Sequence, residues 1–124
     1  MRGYTPGELM PELRTRSGLQ SAYHVVRLGD FLGIERYPEV REAFQSLPPE
    51  LPVLVDLREG TGADSLFLSE LLLLKRRHPA PLAVLIPPSG NLARIFAVAG
   101  MGEKMNVFTG LADALDALGA GESG

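Results

Sequence analysis

Cysteine is absent from the 124 residues, which excludes disulfides and thiolate chemistry. A reducing cytoplasm is therefore the expected location. Tryptophan is absent too, and histidine occurs only at His24 and His78. Without thiolates, a metal site would need both histidines plus carboxylates, and no recognised ligand spacing is present. His24 sits in a strand pattern and His78 at a helix end, so neither a metal nor an organic cofactor is expected. An excess of positive charge is also missing. Twelve Lys and Arg stand against fifteen Asp and Glu, for a net charge of −3. That leaves no broad basic footprint, and nucleic acid is not an expected partner. Finally, there is no long hydrophobic run. The most apolar tract, LFLSELLLL, is broken by Ser69 and Glu70. It falls well short of the roughly 20 residues a membrane span needs. The opening MRGYTPGELMPELRTRSG lacks the apolar core of a secretory signal.

What is there reads as one domain of ordinary composition, 45% hydrophobic. Prolines, glycines and scattered charges over residues 1–18 predict a loosely ordered arm, and residues 120–124 a disordered tail. The domain is expected over 19–119. Val40, Ala43, Phe44 and Leu47 recur at i, i+3, i+4, i+7. So do Leu92, Ile95, Phe96 and Ala99, and again Leu111, Ala114, Leu115 and Leu118. Each set makes one apolar helical stripe. Pro38 suits a first helical turn, Ser89 and Thr109 are candidate N-caps, and Gly100 and Gly119 stand where helices end. PVLVDL and LAVLI are nearly continuous apolar runs, as strands covered on both faces would be, and MNVF is a third short run. Upstream, LQSAYHVVRL and FLGIE flank Gly29-Asp30, a candidate hairpin turn. The order β-β-α-β-α-β-α-β-α predicts a single α/β domain, a mixed sheet of about five short strands packed with about four helices.

The stretch VDLREGTGADSLFLSELLLLKRRH, residues 55–78, carries the functional question. It reads as strand, glycine-bearing loop and helix. Gly60-Thr61-Gly62 begins a G-x-G-x-x-G pattern, but Ser65 holds the third glycine position and no acid follows at the ribose distance. Neither glycine precedes a lysine, so the phosphate-loop pattern fails as well. A small nucleotide-dependent enzyme stays open as the weakest alternative. A capped helix is the plainer reading: Asp64 or Ser65 at its start, and Lys75, Arg76, Arg77 and His78 complementing its C-terminal end. A hydroxyl at a helix start is also a good place for a phosphate, because free amides and the helix dipole accept its charge. Ser65 is the candidate phosphoacceptor, with Thr61 as a second. By helical phase, Leu68, Leu71, Leu72 and the stem of Lys75 should face the sheet. Ser69 and Glu70 should then face solvent, leaving Leu66, Phe67 and Leu73 as an apolar patch beside Ser65. Asp64, Leu66, Phe67, Ser69 and Leu73 are the candidate partner-binding residues. The Pro87–Asn91 turn and the Gly33–Tyr37 loop are the fallback surfaces.

From Val25 to Leu118 the chain resembles the STAS domain of bacterial anti-sigma factor antagonists. VVRLGDFLGIERYPEVREAF is similar to that family's first two strands and first helix. PVLVDLREGTGADSLFLSELL resembles its central signature, a strand ending in Asp, a loop, then Asp-Ser-Ser-Gly-Leu and a leucine-rich helix. LAVLIPPSGNLARIFAVAGMGEKMNVFTGLADALDAL resembles the remaining strand–helix pairs. The resemblance implies a non-enzymatic regulatory module in transcription control. Its partner would be an anti-sigma factor that is also a serine kinase, with phosphorylation at Ser65 controlling the complex. An oligomer is compatible with it. Leu66 and Phe67 stand where the signature has its second serine and glycine, Gly33 where the family often has an acid, and Asp30 where it has glycine. A STAS scaffold or complex subunit without a phosphate switch is the alternative within the same fold.

Overall fold

The computed structural model describes residues 13–16 and 19–119. Most of the expected arm, and the expected tail at 120–124, lie outside the described residues. Residues 13–16, read from the sequence as part of the arm, form a strand. Leu13–Arg16 (β1) pairs antiparallel with Leu19–Ala22 (β2), from Leu13 opposite Ala22 to Arg16 opposite Leu19. The two runs flank Ser17-Gly18, a dipeptide that favours turns.

The main sheet is parallel. His24–Arg27 (β3), Val53–Asp56 (β5), Leu82–Leu85 (β7) and Val107–Phe108 (β8) lie in the order β3-β5-β7-β8. The connecting helices are Tyr37–Gln45 (α1), Ser65–Arg77 (α2), Asn91–Val98 (α3) and Met101–Lys104 (α4), and Leu111–Ala117 (α5) follows the last strand. The strands add in one direction across the sheet, so right-handed crossovers place their helices on one face. Val26, Val53, Val55, Leu82 and Val84 accordingly pack with Val40 and Phe44 of α1, Phe67, Leu71 and Leu74 of α2, and Leu92 and Phe96 of α3. The opposite face buries Val25, Leu54, Ala83 and Leu85 with Ala114 of α5 and Leu118. α5 is released to that side because no further strand constrains it. Residues of β5 and β7 are buried on both faces, as their nearly continuous apolar runs predict. The α/β class read from the sequence is the class observed.

Two local expectations are corrected. No hairpin forms at Gly29-Asp30. Asp30 adopts φ 62°, the left-handed region. The chain leaves the main sheet there, and Asp30–Leu32 (β4) pairs in parallel with Gly60–Ala63 (β6). The Leu28 amide donates to the Asp56 carbonyl (3.1 Å) and the Asp30 amide to the Glu59 carbonyl (3.0 Å). The β4–β6 ribbon thereby continues the β3–β5 pairing. The N-caps of α3 and α5 are Gly90 and Gly110 rather than Ser89 and Thr109, with no side-chain cap bond at either. Pro38 does occupy the first turn of α1, and Gly100 and Gly119 do take positive φ after α3 and α5.

Candidate functional site

Gly60-Thr61-Gly62, expected in a loop, belongs to β6. A β-carbon at Gly62 would lie 2.8 Å from the Asn91 amide nitrogen and 3.0 Å from the Phe31 ring. The close approach these glycines allow is thus to the protein's own side chains. The Asn91 Nδ2 donates to the Thr61 carbonyl at 3.2 Å, pinning the start of α3 against β6.

β6 runs directly into α2. Asp64 has extended backbone, φ −102° and ψ 178°, and its Oδ1 accepts from the Phe67 amide at 3.1 Å. Of the two candidate caps, Asp64 and Ser65, Asp64 is the one that forms. Its own amide donates to the Leu32 carbonyl at 3.2 Å, which ties the helix start to the end of β4. Ser65 is therefore the first helical residue, and it is exposed. It stands on the rim of a groove of about 460 Å³ between the first turn of α2 and α3. Ala63, Leu68, Ile95, Val98 and Ala99 give the groove its apolar lining, and Asp64, Asn91 and Arg94 its polar rim. Val98 is 83% exposed. On the other side of β6, Phe31 (52% exposed) and Ile34 (67%) extend the apolar surface. The Phe31 ring lies over Gly33, where a β-carbon would come within 2.6 Å of it. No side chain at Gly33 fits while the ring stays there, and an acid least of all.

The expected phase of α2 is off by about one residue, roughly 100° of rotation. Phe67, Glu70, Leu71 and Leu74 are buried, with Leu68 and Leu72 packed against the core from one side. Glu70 was read as the solvent marker, yet it is only 7% exposed. Its carboxylate accepts from the Tyr37 hydroxyl (3.2 Å), whose oxygen accepts from Arg41 (2.9 Å). A buried acid with a hydroxyl partner is tolerable, and it misled the phase. Phe67, a candidate contact, is consequently a core residue packed near Phe44. Leu66 is half-buried over a crevice with Gly33, Tyr37 and Val40, on the α1 side of the helix. Ser69 is exposed, and so is Leu73 at 44%. Leu73 stands eight residues, about 12 Å, along the axis from Ser65. The five candidates do not form one patch. Only Asp64 among them meets the groove, beside Ser65, and the other four are spread around the helix. Sequence reasoning missed Arg94 and Val98. One signal was readable: Val98 is apolar and lies off the Leu92, Ile95, Phe96, Ala99 stripe.

No family model, curated protein or solved structure matches this chain.

A second cluster lies at the carboxyl ends of β3 and β5, around a hollow of about 360 Å³. Asp56 is buried there and takes a two-pronged contact from Arg58, Nε to Oδ1 at 3.1 Å and NH2 to Oδ2 at 2.9 Å. Arg27 lies 3.6 Å from Oδ2. Burial pushes the Asp56 carboxyl up, but the hydrogen bonds from the Arg58 side chain and amide, with the charges of Arg58 and Arg27, outweigh it. The net result lies below the usual carboxylate range. Arg27, Asp56, Arg58 and Glu59 balance in charge, so the cluster locks the strand ends. Among the described residues, no three of His, Asp and Glu converge as metal ligands would, and no helix is long and apolar enough to cross a membrane. His78 serves structure: its Nε2 donates to the Leu51 carbonyl at 2.7 Å.

Proposed function

We propose that this chain is a regulatory protein-binding domain of the STAS type, similar to anti-sigma factor antagonists and working in the bacterial cytoplasm. Its partner is an anti-sigma factor with serine kinase activity, and Ser65 receives the phosphate. The observation that carries the reading is the placement of an exposed Ser65 hydroxyl at the first position of a capped helix, on the rim of an open apolar groove. A phosphate there meets free helical amides while placing about −2 charge on a surface that a partner would dry. The element order from β3 to α5 supports it, as does Asp30, whose left-handed backbone occupies the position where that family carries glycine.

A partner-binding domain without the switch is the second reading. It is favoured by Leu66 and Phe67, which replace the signature's small residues, Phe67 being locked in the core. One experiment separates them. The partner is isolated from native cell extract on the wild-type chain and then titrated against Ser65→Glu and Ser65→Ala. Ser65→Glu should bind at least about tenfold more weakly, equivalent to about 1.4 kcal/mol, and Ser65→Ala like wild type. Equal binding by all three, with no phosphate on Ser65 by mass spectrometry, leaves the second reading.

A further inference from the structure

We draw no further inference here: the strongest candidate, the open apolar groove between the first turn of α2 and α3, carries one acid and one base on its rim, Asp64 and Arg94, and nothing in the structure shows what covers it.

Discussion

The Asp64 carboxylate caps α2 through the Phe67 amide, while the Asp64 backbone amide holds the Leu32 carbonyl. Substitution separates the two contacts, because only the first uses the side chain. Asp64→Ala should lower stability by about 1 kcal/mol in urea denaturation, and Asp64→Asn by only a few tenths, since both caps accept the amide. Loss of the cap without loss of the Leu32 bond should leave the helix in place with its first turn frayed. Ser65 would then be held less firmly, which makes Asp64→Ala a poor control for partner binding and Asp64→Asn a good one. Gly33 and Gly62 are legible in the sequence only as glycines. Their reason is the Phe31 ring, which lies against both and is placed by a strand pairing between distant segments.

Among the elements, β5 and β7 could be read from composition because both their faces are buried, so Asp56 at the end of β5 is their one polar residue. β6 could not. GTGA has no alternation and little strand propensity, and it is a strand because β4 is delivered beside it. The phase of α2 failed for a different reason. A single buried polar residue, Glu70, outweighed the leucines in the pattern, although the hydroxyl that satisfies it lies on another helix. The structure makes the corrected phase testable. Phe67→Ala, at a buried position that the sequence phase leaves exposed, should cost about 3–5 kcal/mol. Leu72→Ala, at a half-buried position that the sequence phase turns to the sheet, should cost less. Paired chemical denaturation curves measure both, and the reverse order would restore the phase expected from the sequence. The groove is the part of the site that sequence could not deliver. Its two walls are some thirty residues apart in the chain, and only the folded crossover of α2 and β7 brings them together.

For the molecule as a whole, pH acts through Asp56. Its carboxyl lies lower in the folded chain than in the unfolded one, where the value is about 3.9. The unfolded state therefore binds the proton more readily. The stability gained is fully present above about pH 5 and is lost as pH falls through the folded value. Urea midpoints should be level from neutrality to about pH 5 and then fall, and in Asp56→Asn the midpoint should start lower and fall less steeply. Glu39 shifts the same way through its Arg36 hydrogen bonds but is exposed, so its share is small. The β4–β6 ribbon bears on the order in which the molecule comes apart. Because it extends the β3–β5 pairing, the long loop between them is already closed when it forms, and joining it costs only local ordering. The strip is not loose: Leu32 and Ala63 sink into the main core, and Phe67 anchors the first turn of α2 beside them. Native-state hydrogen exchange should therefore show the Asp64 amide, bonded to Leu32, opening together with the Val53 and Leu57 amides, bonded to Pro81 and Leu85. Ser65 is thereby held at a fixed place on the surface, and a partner must come to it there.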